Sequence, residues 1–441
     1  MKAVFIAGGK GTRISSVFRE IPKPLIKIGG KPILEHGIEC LKMQGYDDII
    51  ITVGYLGNQI IDYFGDGTGI SPSTGRPFGV SIKYYFEQSP LGNAGALLEL
   101  KDELTEDFFL INADVLFDVD FDRFASAHRM YGGLITLLTH PNNHPYDSTL
   151  LKKNEKSQVV GWYPKQGQRP KYYHNEVNAG LHIINPRVLD HFLNAEKGTV
   201  LDLDKDIIEP IMKTGDVYAY RSTEYVKDMG TPERYYSVSE DLLLGKVSKR
   251  NLINKQKAIF LDRDGTINRY IGFLSNIDDF NLIENVSRAV KLINESEYLA
   301  IVVTNQPVIA RGELSLSDLF IIHEKMETML GNDGAYLDDI YFCPHHPHSG
   351  FCGEITELKI NCDCRKPKPG MLLQAAIDYN IDLKQSWMIG DDQRDVCTGK
   401  NAFCKTALVG ENSFGQDITG ESLFDIIKKI LNGDRINNGT K

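Results

Sequence analysis

The sequence predicts an α/β protein built on two doubly wound sheets. Three observations carry this. Short apolar runs alternate with helical patterns along both halves of the chain. Each half opens on an apolar run that stops abruptly in a polar, glycine-bearing motif. Residues 1–7 run into Gly8-Gly9-Lys10-Gly11-Thr12-Arg13, and residues 257–261 run into Asp262-Arg263-Asp264-Gly265-Thr266. Between the two series, residues 245–256 are polar and basic, with no long apolar run. A chain of 441 residues has room for two or three domains. The expected division is a first domain at 1–244, a linker at 245–256, a second domain at 257–432 and a tail at 433–441.

The elements follow in order. Residues 1–7 read as a strand, and 31–44 as a helix opened by Pro32. Strands are expected at 48–53, 80–86 and 107–112, with helices at 56–63 and 121–130 between them. Residues 68–77 are rich in Gly, Ser, Thr and Pro and read as a loop. Further strands are expected at 177–184 and 217–220, and a closing helix at 232–244. The second series has strands at 257–261, 299–303, 386–389 and 406–409. Its helices fall at 286–296, 315–330 and 370–379. Strands alternating with helices imply parallel sheets.

Composition narrows the function classes. The formal net charge of -10 disfavours nonspecific nucleic-acid binding. No apolar stretch approaches the roughly 20 residues that span a bilayer, and residues 3–7 are too short for a signal peptide. A cytoplasmic protein with no membrane partner is expected, and a homo-oligomer is compatible with the sequence. Of the 7 cysteines, Cys343, Cys352, Cys362 and Cys364 cluster, which in a cytosolic chain favours metal over disulfides.

The first motif lets backbone N–H groups approach a phosphate, because Gly8, Gly9 and Gly11 follow a strand. It has neither Walker spacing nor the third glycine of a dinucleotide fingerprint. Arg13 offers a planar fork of donors, and Lys23, between Pro22 and Pro24, offers a point charge. The run Ala7-Gly8-Gly9-Lys10-Gly11-Thr12-Arg13 with Pro22-Lys23-Pro24 resembles the sugar-1-phosphate nucleotidylyltransferases. So do Pro90-Leu91-Gly92-Asn93-Ala94-Gly95, Asn112-Ala113-Asp114, Asn178-Ala179-Gly180 and Asp228-Met229-Gly230. The resemblance implies a Rossmann-like transferase domain. In it Asp114 and Asp228 hold Mg²⁺, Arg13 grips the leaving pyrophosphate and Lys23 bridges the reacting phosphates. Gly8, Gly9, Gly11, Thr12, Gly92, Asn178 and Gly180 would line the nucleotide and sugar sites. Glu87 stands where the family often reads the base, and a carboxylate suits guanine, hence GTP. Simpler readings compete: a helix cap for Asp114, a turn aspartate for Asp228, a surface glutamate for Glu87. Two departures stand out: Ala113 replaces the family's common glycine, and Trp162-Tyr163-Pro164-Lys165 replaces its Phe-x-Glu-Lys-Pro. Lys165 is the candidate sugar-phosphate contact.

The second motif ends a strand in paired aspartates, beyond the carboxyl end where open α/β sheets bind ligands. With Thr304-Asn305, Lys366 and Gly390-Asp391 it resembles the haloacid dehalogenase-type phosphatases. The resemblance implies that Asp262 attacks phosphorus and Asp264 serves as acid and then base. Mg²⁺ would sit on Asp262, the Asp264 carbonyl and Asp391, while Thr304 and Lys366 hold the transferring oxygens. Asp395 reads equally as part of the metal shell or as a solvated helix residue. Asp392 stands where the family commonly has lysine.

Cys343, His345, Cys362 and Cys364 form two close pairs that suit a closed, tetrahedral, structural Zn²⁺. The second pair directly precedes Arg365-Lys366. This arrangement resembles the D-glycero-D-manno-heptose 1,7-bisphosphate 7-phosphatases, and histidinol-phosphate phosphatases share it. It implies a minimal cap, with Asn305 and Arg365 at the substrate's remote part. Joined, the halves imply release of the 7-phosphate from a heptose bisphosphate and transfer of a nucleotide, GTP in first place, to heptose 1-phosphate. A hexose 1-phosphate transferase fused to a histidinol-phosphate-like phosphatase, or one half acting as a binding module, stays open.

Overall fold

The structure, a computed structural model, describes residues 1–9, 18, 20–192, 195–196 and 198–438, the side chains of 434–438 excepted. The chain forms two compact units. One comprises Met1–Thr139, Leu151–Trp162 and Asn178–Asn251, and the other His140–Leu150, Tyr163–Val177 and Leu252–Lys441.

The first unit is organised on the strand Ala3–Ala7, which lies between Asp48–Val53 and Phe108–Asn112, parallel to both. Ser81–Phe86 extends the parallel run beyond Asp48–Val53. Ile49, Ile50, Ile51 and Val53 are all buried, as expected for a strand covered on both faces. On the other side the sheet changes sense. Val177–Ile184 pairs antiparallel with Phe108–Asn112, Leu181 opposite Ile111. The sheet is therefore mixed, a correction to the parallel sheet expected from alternation alone. A second ribbon, Val115–Asp118 against Tyr225–Asp228, sets Val115 opposite Asp228. Pro32 caps the helix Ile33–Met43, and Thr231 caps Pro232–Leu243 by accepting from Arg234 N.

The second unit has one parallel sheet in the order Asp339–Cys343, Tyr298–Asn305, Lys257–Leu261, Trp387–Gly390, Lys405–Val409, Ile418–Gly420. Its sense of progression reverses between Lys257–Leu261 and Trp387–Gly390. In the first unit the reversal falls between Ala3–Ala7 and Phe108–Asn112. A reversal opens a crevice at the strands' carboxyl ends, so each sheet positions a site just after its first strand.

Residues 245–256, expected as a linker, hold one short element and two buried apolar side chains. Lys246–Lys249 forms a helical turn with Val247 buried, and Leu252 is buried in the second unit. Residues 163–177, which begin within the departing run Trp162-Tyr163-Pro164-Lys165, pack within the second unit. Tyr173 N donates to Thr328 Oγ1 at 3.0 Å, and His174 Nδ1 lies 2.6 Å from Glu327 Oε2 on the helix Leu316–Asn332. Among the described residues, no helix is long and apolar enough to cross a membrane.

Candidate active sites

In the first unit a cavity of about 820 Å³ is lined by Gly8, Gly9, Lys23, Glu87, Gly92, Asn112 and Asp114, among others. Lys23 Nζ pairs with Asp114 Oδ2 at 2.9 Å, and Met229 N donates to the Asp114 carbonyl. Asp228 is held by the closing helix. Arg234 NH1 donates to both its oxygens, at 2.9 and 2.7 Å, and Gly230 N to one. Burial would raise this carboxyl, yet the Arg234 fork holds it below the usual range. Arg234, which sequence reasoning missed, follows Asp228 by six positions on the closing helix; no motif marks it.

Glu87 is buried rather than a surface residue, and burial raises its carboxyl above the usual range. Its Oε2 accepts from Leu91 N at 3.2 Å. It lies so close to Gly8 that a Cβ there would sit 2.5 Å from Oε1, which explains the glycine. Gly180 has φ +78°, and a Cβ would meet Asn112 Nδ2 at 2.6 Å. Gly11, Thr12 and Arg13 lie outside the described residues. Lys165 forms an ion pair with Asp147 within the second unit.

Asn178 Oδ1 accepts from Gly180 N and faces His182 Nε2 at 3.0 Å. Burial pushes His182 down to about 4. The unfolded chain therefore takes up a proton near pH 6.5 that the folded chain refuses until about 4. This contribution is fully present above 6.5 and is lost as pH falls toward 4, by up to about 3 kcal/mol. Urea unfolding of the chain between pH 7 and 4.5 should show the loss, and His182→Gln should flatten it.

In the second unit a cavity of about 490 Å³ is lined by Asp262, Asp264, Thr304, Asn305, Arg365, Lys366, Asp391 and Asp395, among others. Carboxylate oxygens of Asp262, Asp391 and Asp395 all lie within 4.8 Å of one another. Lys366 Nζ reaches Asp262 at 2.6 Å and Asp395 at 2.7 Å. Burial alone would lower Lys366, but these two carboxylates more than offset it and raise it. Three carboxylates share one ammonium, and the excess shows. Burial and then Asp395 push Asp391 up to about 6, and the same two causes raise Asp262. Such a set suits a hard divalent cation. Asp395 thus belongs to the cluster; Gly390 leaves it room, since a Cβ there would fall 2.2 Å from its Cγ. Gly265, at φ +92°, likewise leaves room for Asp391.

Asp264 accepts from Arg263 Nε and NH2, from Asn268 Nδ2 at 2.9 Å and from Gln306 Nε2 at 2.9 Å. Thr304 Oγ1 accepts from the same Gln306 amide. Asn305, expected at the remote part of the substrate, lines the cavity and is tied to its neighbour in the wall. Its Oδ1 accepts from Lys366 N at 3.0 Å and its Nδ2 donates to Lys366 O at 3.1 Å, so its amide clamps the lysine's backbone. Arg365 lines the cavity while donating to the His345 carbonyl.

Cys343, His345, Cys362 and Cys364 also bring their ligand atoms within 4.8 Å of one another. Neighbouring separations run from 3.3 to 3.6 Å. These are far beyond a disulfide and near the ligand–ligand edge of about 3.8 Å implied by tetrahedral Zn–S bonds of about 2.3 Å. The hydrogen bond between Cys343 and Cys364 draws the Cys364 thiol down to about 5 and pushes the Cys343 thiol up.

With this geometry stand the similarities to known proteins. Residues 2–244 match the nucleotidyl transferase family model, and residues 363–424 match the HAD-hydrolase-like model. The chain is 42% identical over 177 residues to the D-glycero-beta-D-manno-heptose-1,7-bisphosphate 7-phosphatase of Haemophilus ducreyi, covering 40% of this chain and 94% of that protein. It is 45% identical over 174 residues to the enzyme of the same name from Yersinia pestis, covering 40% and 90%. A crystal structure of HddC from Yersinia pseudotuberculosis superposes over 55% of this chain and 99% of its own, at 24% identity and a TM-score of 0.46. With more than half its length matched by one family model and its C-terminal part by a second, the chain belongs to the nucleotidyl transferase family and joins to it a HAD-type phosphatase domain.

Proposed function

We propose that the chain carries out two steps on one sugar. The phosphatase removes the 7-phosphate of D-glycero-D-manno-heptose 1,7-bisphosphate, and the transferase joins heptose 1-phosphate to a nucleotide, GTP in first place, releasing pyrophosphate. The observation that carries it is the pairing of Asp262 with Lys366 in a cavity of carboxylates, together with the C-terminal relatives' stated substrate. Asp262 attacks phosphorus, the P–O ester bond breaks, and Asp264 gives its proton to the leaving oxygen. Asp264 then takes a proton from the water that hydrolyses the aspartyl-phosphate. Lys366 and Thr304 hold the transferring oxygens. Asp262, Asp391 and Asp395 are the residues to hold Mg²⁺, which when bound neutralises charge between carboxylate and phosphate. In the transferase, Lys23 and Arg13 neutralise the triphosphate, with Asp114 and Asp228 as the Mg²⁺ carboxylates.

Incubation with the heptose bisphosphate, Mg²⁺ and each nucleoside triphosphate tests this, with phosphate and pyrophosphate read separately. Absence of both products would overturn it. Glu87 is the base-reading group, accepting from guanine N1–H and the exocyclic amine. Glu87→Gln is expected to cut the preference for GTP over ATP roughly 10- to 100-fold, an effect of about 1–3 kcal/mol. Equal use of all triphosphates by the native protein would remove this role.

The cysteine set is assigned a structural Zn²⁺ that stiffens the loop presenting Lys366. Cys364→Ser is expected to lower phosphate release about 10- to 100-fold and leave pyrophosphate release intact. Metal analysis should find one zinc per native chain. A zinc-free native protein with full phosphatase activity would remove the assignment.

A further inference from the structure

The reacting end of the phosphatase cavity is crowded with charge, but its lip is aromatic. Tyr270 and Phe273 line it and remain 67% and 53% exposed. Large exposed rings at the mouth of a cavity mark a surface for a ligand. Phe273 is also braced from behind. The Arg311 guanidinium carbon lies 4.1 Å from its ring centroid and 4.4 Å from that of Phe351. Glu313 pairs with Arg311 NH2 at 2.6 Å, while Arg311 Nε, buried, has no hydrogen-bond partner among the described residues. The guanidinium is thus placed by two rings and one carboxylate rather than by a full set of hydrogen bonds.

Phe351 is a firm anchor for this stack. Lys359 Nζ lies 4.4 Å from its centroid. The backbone on either side is tied down: Ile355 N donates to the Ala310 carbonyl at 3.0 Å. Gly312, at φ +71°, approaches so closely that a Cβ would fall 1.9 Å from the Gly353 carbonyl oxygen. Phe273 therefore presents its ring, backed by Arg311, in the same cavity as the carboxylates that handle the phosphate.

We propose that Phe273 is the surface on which the sugar ring of the phosphatase's substrate packs, and that Arg311 is the positioning residue that holds it. A pyranose has an apolar face of C–H bonds, which an aromatic ring covers while the hydroxyls keep their polar partners. This assignment rests on the phosphatase reading above and adds the group that selects a cyclic sugar phosphate over a small phosphate.

The test uses the full chain with Mg²⁺, acetyl phosphate as a substrate without a ring, and the heptose 1,7-bisphosphate as its competitor. Phe273→Ala should leave acetyl phosphate turnover unchanged and weaken competition by the sugar about five- to tenfold, the size of one aromatic contact. Arg311→Met should weaken it in the same selective way by a smaller factor, and Arg311→Lys should restore most of it. Unchanged competition in Phe273→Ala, or equal losses for both compounds, would overturn the proposal. Failure of the native chain to hydrolyse acetyl phosphate would count against the phosphatase reading itself and take the proposal with it.

Discussion

Asp262→Asn is expected to abolish phosphate release, by roughly four orders of magnitude or more, while pyrophosphate release continues. An amide of the same shape cannot form the aspartyl-phosphate. The fold should survive. Asp262 lies at 2.6 Å from Lys366, but Lys366 keeps Asp395 at 2.7 Å. Burial and the Asp395 charge already disfavour ionised Asp262, so the neutral amide relieves repulsion. Thermal unfolding at or above the native midpoint is therefore expected beside the lost activity. A variant that still releases phosphate at a tenth of the native rate would remove Asp262 as the nucleophile, and one that unfolds at room temperature would overturn the account of relieved repulsion.

Asp114→Asn is the matching experiment on the other unit, with pyrophosphate release expected to fall about 10³-fold and phosphate release unchanged. Asp114 lies in the cavity with Lys23 at 2.9 Å. The pair is partly exposed, so its loss should change stability by no more than about 1 kcal/mol. The stability bound matters, because it separates a lost metal ligand from a lost helix cap, which would show as a shifted unfolding midpoint. Activity retained within threefold would return Asp114 to a structural role.

The strand-terminal motifs were legible because each follows an unbroken apolar run. Ile259, Phe260 and Leu261 are fully buried, and Asp262 comes next, at the crevice. Less legible were the groups that act across long sequence separations. Arg234 meets Asp228 from a helix with no marking motif, and Asp395 is one of several acidic residues after Gly390 whose role depends on a turn. The antiparallel Val177–Ile184 escaped because its apolar run looks the same in either sense. Asn305 lines the cavity, but its amide is taken by the backbone of Lys366, 61 positions away, which no local pattern announces.

The route of the chain has a consequence for dissecting the two activities. It enters the phosphatase unit at His140–Leu150 and again at Tyr163–Val177 before finally staying there from Leu252. A single cut near residue 250 leaves a C-terminal piece as long as the phosphatases it resembles but without these two excursions. A fragment ending near residue 250 carries off Tyr173 and His174, leaving Thr328 and Glu327 on the opposite fragment without them. Separating the two activities by such a cut would thus expose Thr328 and Glu327, and the cost of losing these contacts can be read from the unfolding midpoint of the C-terminal piece.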